Sequence, residues 1–77
     1  MSTYIVAPER CAWTEVTALT PLVAYAGTCN FFRPNEKVAV INKETGKAHI
    51  FSRRVDRSGE LISFIEHTAE GEMELEE

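Results

Sequence analysis

The sequence predicts an α+β fold: an antiparallel β-meander of three strands, joined by an N-terminal strand and packed with one short helix. Two observations predict it. Residues 37–67 form three runs rich in Val, Ile and Phe, separated by two glycine turns, Lys43–Lys47 and Asp56–Glu60. Ahead of them, Thr20-Pro21 opens a stretch with apolar residues at helical spacing. A chain of 77 residues leaves room for one domain with a small core. The expected division is a single α+β domain over 1–69 and an acidic, flexible tail over 70–77.

Thr3-Tyr4-Ile5-Val6-Ala7 is β-rich and stopped by Pro8, so it reads as the first strand. Cys11 to Leu19 is ambiguous. Trp13-Thr14-Glu15-Val16-Thr17 has β propensity, while Ala12, Val16 and Leu19 also fit a helical face; a short extended segment is the preferred reading. Thr20 is a good N-cap. Pro21 at the first helical position loses no hydrogen bond, because that N–H has no partner inside the helix. Leu22, Val23, Tyr25, Ala26 and Cys29 supply the apolar stripe, and Asn30 is expected to end the helix in the left-handed conformation. The helix is therefore placed at about residues 20–31.

From Lys37 the period changes. Lys37 to Asn42 is a strand apolar on both faces, Ala48 to Val55 is the next, and Leu61 to His67 is the third. Both loops read as three-residue turns closed by glycine, with 43 opposite 47 and 56 opposite 60. That register puts Val38, Val40, Ile50, Ser52, Arg54, Ile62 and Phe64 on one face. It puts Ala39, Ile41, His49, Phe51, Arg53, Val55, Leu61, Ser63, Ile65 and His67 on the other. A one-residue slip in either hairpin would exchange these sets. Both faces are apolar at their centres and one short helix covers only one of them. A homodimer formed by sheet-to-sheet packing is therefore expected.

Charge is unevenly distributed in a chain of net charge -4. Residues 33–57 hold seven Lys and Arg against three acids, and residues 58–77 hold seven Glu with no Lys or Arg. Basic charge on a small sheet ordinarily keeps its edges from aggregating. As an anion site it would use Lys47, Arg53 and Arg54, although alternation sends Arg53 and Arg54 to opposite faces. The net charge opposes general nucleic-acid affinity.

No phosphate loop, nucleophile elbow or convergent set of catalytic side chains is present, so no enzyme and no cofactor are expected. His49 and His67 fall side by side in the expected register, but no third ligand accompanies them and no metal site is assigned. Cys11 and Cys29 read as small buried apolar residues rather than as a disulfide framework. No run approaches the ~20 apolar residues of a membrane span. Met1–Tyr4 carries no basic region ahead of a long apolar stretch, so a cytoplasmic protein is expected.

In size, in its sheet-plus-helix pattern and in the Glu-rich end Glu70–Glu77, the chain resembles short acidic proteins made by bacteriophages, such as anti-CRISPR proteins and other inhibitors of host defence. The resemblance covers no specific motif and transfers no functional residue. It implies a non-enzymatic protein that binds and blocks a host protein in the host cytoplasm. The candidate anchors are Trp13, Tyr25, Phe31, Phe32 and Phe51, with Glu72 and Glu74 steering a basic partner. The alternative is a small nucleotide- or single-strand-binding module, or a dimeric sponge for a signalling nucleotide, using Lys47, Arg53, Arg54 and an aromatic side chain.

Overall fold

The computed structural model describes residues 1–9 and 12–75. Among these, six strands form one antiparallel sheet and a single short helix packs on it. In chain order they are β1 (Ser2–Pro8), β2 (Thr14–Ala18), α1 (Pro21–Thr28), β3 (Val38–Asn42), β4 (Ala48–Val55), β5 (Leu61–Thr68) and β6 (Gly71–Leu75), with the spatial order β2-β1-β3-β4-β5-β6. The α+β class holds, but the sheet is wider than three strands plus one. The ambiguous second segment is a strand pairing outside β1. Gly71–Leu75, expected as an unpaired tail, pairs with β5 as a second edge strand. Glu76 and Glu77 lie outside the described residues.

The helix begins where the sequence placed it. Thr20 is extended, its Oγ1 accepts from Val23 N at 3.2 Å, and Pro21 is the first helical residue. It ends earlier than expected. Thr28 Oγ1 donates back to the carbonyls of Ala24 and Tyr25, and a single 3-10 turn, Cys29–Phe31, follows. Asn30 does not take the left-handed conformation. Asn35 does, with φ 66°, behind Pro34 in a turn closed by Glu36 N donating to Arg33 O at 3.1 Å. Pro followed by a left-handed Asn is the pattern of a type II turn.

Both hairpin registers differ from expectation, for separate reasons. In the first, Asn42 Oδ1 accepts from Glu44 N (2.8 Å) and Thr45 N (3.1 Å), and Asn42 N donates to Lys47 O at 2.8 Å. The side chain of Asn42 thus builds a four-residue loop where three were expected, and Val38 meets Phe51 instead of Ser52. In the second, Asp56 N donates to Glu60 O as expected, but a bulge between Arg54 and Val55 moves the remaining pairs by one, so that Arg53 meets Phe64. The two offsets cancel for β5. Phe64 shares a face with Val38 and Val40, as the sequence suggested, while β4 is reversed: His49, Phe51 and Arg53 join them, and Ile50, Ser52 and Arg54 point the other way.

The helix covers the first of these faces. Val6, Val38, Val40 and Tyr25 are fully buried there, with Tyr4, Ala18, Ala24, Cys29, Phe32, Phe51 and Phe64 around them. The two sheet edges differ chemically. β6 carries Glu72 and Glu74, whereas β2 has only Glu15, tied to Lys43 Nζ at 2.8 Å, and neither Pro nor Lys within it.

Gly46 (φ 77°) and Gly59 (φ 91°) close the two hairpins. An added Cβ meets no atom within 4 Å at either position, so a substitution there tests backbone conformation alone. Gly46→Val and Gly59→Val are each expected to cost about 1–2 kcal/mol or more, read as a lowered denaturant midpoint. Unchanged midpoints would contradict the turn assignments.

Candidate binding surface

The candidate aromatic anchors divide into two groups. Phe32 and Phe51 are core residues rather than surface anchors, because α1 and the reversed β4 bring both under the helix. Tyr25 stacks on Phe32 (centroids 6.3 Å, 15°) and on Phe51 (5.7 Å, 29°), and meets the edge of Phe64 (5.7 Å, 83°). Tyr25 is thus a core residue too. Trp13 and Phe31, by contrast, are 59% and 82% exposed. Phe31 lines an apolar groove of about 320 Å³ together with Ala12, Thr14, Val16, Thr28 and the edge of Phe32. Thr14 and Val16 reach it because alternate residues of β2 face the helix, and Trp13 lies between Ala12 and Thr14 in the chain. The sequence reading omitted Ala12, Thr14, Val16 and Thr28. The parity of β2 against β1 is the signal that finds Thr14 and Val16.

Glu72 and Glu74 do not share this surface. They lie on β6, at the opposite edge, and on the face away from the helix. There, with Arg54 and Ile65, they line a polar hollow of about 200 Å³. Ile65 is buried on this otherwise open face, and Ser52 beside it is only 3% exposed. Ser52 Oγ lies 2.7 Å from His67 Nε2, a serine–histidine contact whose hydroxyl is withdrawn from solvent.

The three basic candidates are dispersed. Arg53 sits beneath the chain that follows the helix. Its Nη2 donates to Phe32 O at 2.6 Å, and its own carbonyl accepts from Asn35 N at 3.0 Å. This side chain clamps the helix-to-β3 connection onto β4. Arg54 faces the other side, beside Glu72 and Glu74. Lys47 lies in the first hairpin loop, six residues and about 20 Å along the strand from Arg53. The two histidines also separate. His49 Nδ1 lies 2.9 Å from Glu66 Oε2 on the helix side, and His67 contacts Ser52 on the other, so one ion could not bridge them. Cys29 is buried in the core, and Cys11 lies outside the described residues.

No family model, curated protein or solved structure matches the chain.

Burial pushes the Tyr25 phenol up to about 12, and the nearby Cys29 thiol adds to the shift while Arg53 opposes it. Among the described residues its hydroxyl has no hydrogen-bond partner. A group whose pKa is raised on folding stabilises fully below its unfolded value, and that stabilisation disappears as pH climbs through the folded one. The window is therefore between about pH 10 and pH 12. Tyr25→Phe deletes an unpaired buried hydroxyl, so at pH 7 its unfolding free energy is expected to stay within about 1 kcal/mol of the parent or to exceed it. Above pH 10 the variant should gain on the parent by up to about 2–3 kcal/mol. Denaturant titrations of both proteins from pH 7 to pH 12 check this, and parallel curves would exclude it.

Proposed function

We propose that this is a non-enzymatic interaction protein that docks another protein against the groove beside β2, with Trp13 and Phe31 as anchors. It acts by occupying the partner's surface, in the manner of the phage-type inhibitors of host proteins that it resembles in size and charge. The supporting observation is Phe31, 82% exposed in the lining of the apolar groove between β2 and the end of α1, with Trp13, 59% exposed, next in the chain to the lining residues Ala12 and Thr14. Aromatic residues at the centre of an interface carry a disproportionate share of its energy, and each well-seated anchor contributes 2 kcal/mol or more. Glu72 and Glu74 lie too far away to touch a partner in the groove. Their part is long-range attraction of a basic surface, which is screened by salt.

The alternative, a nucleotide or single-strand module, gains little support. Arg53 is spent on a backbone carbonyl, Arg54 is flanked by glutamates, and neither exposed aromatic lies on a basic strand.

The deciding experiment is affinity capture from a lysate of the source cell with the parent, Trp13→Ala, Phe31→Ala and a control, Leu61→Ala. A stoichiometric protein captured by the parent should be lost at least about tenfold with either aromatic variant and kept with the control. Binding to heparin and to short single-stranded DNA at two salt concentrations should be weak throughout. Tight, salt-sensitive binding there would promote the nucleic-acid alternative.

A further inference from the structure

Helix α1 covers one face of the sheet, and among the described residues no segment covers the other. At the centre of that open face, β1, β3 and β4 present Ile5, Ala7, Ala39, Ile41, Ala48 and Ile50. The register sets them in two rows across the strands: Ile5, Ile41 and Ala48 in one, with Ile41 in the middle, and Ala7, Ala39 and Ile50 in the other, with Ala39 in the middle. Ile50 is 40% exposed. Polar groups flank the patch on both sides. Toward β2 lies the Glu15–Lys43 ion pair, neutral as a unit. Toward β6 lie Arg54, His67, Glu72 and Glu74. An apolar centre with a polar rim is the anatomy of a protein interface.

We propose that a second copy of this chain packs on this face, related by a two-fold axis parallel to β3. Charge selects the axis. A two-fold across the strands would lay β6 on its own copy and bring Glu72 and Glu74 against themselves. A two-fold along β3 lays β1 over β4 of the second copy and β2 over its β5. It leaves β6 outside the overlap with its carboxylates in solvent. Shape agrees with charge. Under this axis Ile5 of one copy meets Ala48 of the other, and Ala7 meets Ile50, so large side chains enter the hollows left by small ones. Five overlapping strands about 4.8 Å apart and on average about 22 Å long give an area of about 500 Å² per copy. Twice that reaches the ~1,000 Å² that a specific interface needs. The dimer leaves both grooves facing outward, so it is independent of what binds there.

Sedimentation equilibrium from about 1 to 100 μM, the range in which interfaces of this size associate, is expected to give twice the 8.7 kDa chain mass. Ile41→Glu and Ile50→Lys should each raise the dissociation constant at least tenfold while the far-UV circular dichroism is kept. Ile50 is partly exposed already, so its variant should fold even if the other does not. Phe31→Ala should remain dimeric. The axis has its own test: Ile5→Ala should weaken the dimer, and Ile5→Ala with Ala48→Ile should recover it. A monomer throughout the range, or a dimer indifferent to both charged variants, overturns the proposal, the latter pointing to pairing through the β2 edge. Failure of the exchange to recover association overturns the axis.

Discussion

Tyr25 holds the fold together. An eight-residue helix is too short to persist in water by its own hydrogen bonds, so its place on the sheet rests on what its inner face buries. Tyr25 reaches three rings from three parts of the chain: Phe32 after the helix, Phe51 on β4 and Phe64 on β5. Each aromatic pair adds about 0.5–1.5 kcal/mol beyond area burial. Against this stands an unpaired phenolic hydroxyl, which costs about 1–3 kcal/mol. Three ring contacts plus a fully buried side chain outweigh that cost. The Arg53 clamp on the Phe32 carbonyl then fixes where the chain leaves the helix, and so where Phe31 stands in the groove.

The sequence disclosed those parts of the fold that local chemistry controls. Thr20-Pro21 marks the helix start by a cap and a missing donor, and Gly46 and Gly59 mark turns by their left-handed backbone. It concealed the parts set by one extra atom of hydrogen bonding or one extra residue. The Asn42 side chain widens a loop, and the bulge beside Val55 shifts a ladder. Neither leaves a mark in the hydrophobic pattern, yet the first decides that Phe51 is core and Ile50 is surface, and the second keeps Phe64 on the core face. For the binding surface, Trp13 and Phe31 were legible as aromatic residues, but not their separation from Phe32. Phe31-Phe32 is one dipeptide with one side chain exposed and the other buried, because the backbone passes from a 3-10 turn into extended conformation between them. The pairing of Gly71–Leu75 was hidden by its glutamates, which suggest a solvated tail although edge strands carry such charges routinely.

The uneven charge has a structural reason. Of the basic residues in the middle of the chain, Arg53 is committed to a backbone carbonyl and Lys43 to Glu15. Arg54 lines one hollow with Glu72 and Glu74 of β6. The acidic end therefore faces part of the basic middle across β5, while the surplus negative charge collects at the β6 edge of the sheet.

That edge also sets a limit on assembly. A sheet adds strands only where its last strand tolerates a neighbour, and this one has two unlike ends. At β6 an incoming copy of the same strand would stack glutamate on glutamate. At β2 the sequence Thr14–Ala18 offers β-branched residues and a single, already engaged, carboxylate. Within one sheet, a chain with one open edge and one charged edge cannot extend without limit: two β2 edges pair with each other and the joined sheet then ends in β6 on both sides. The glutamates of β6 thus bound the width that a sheet built from this chain can reach.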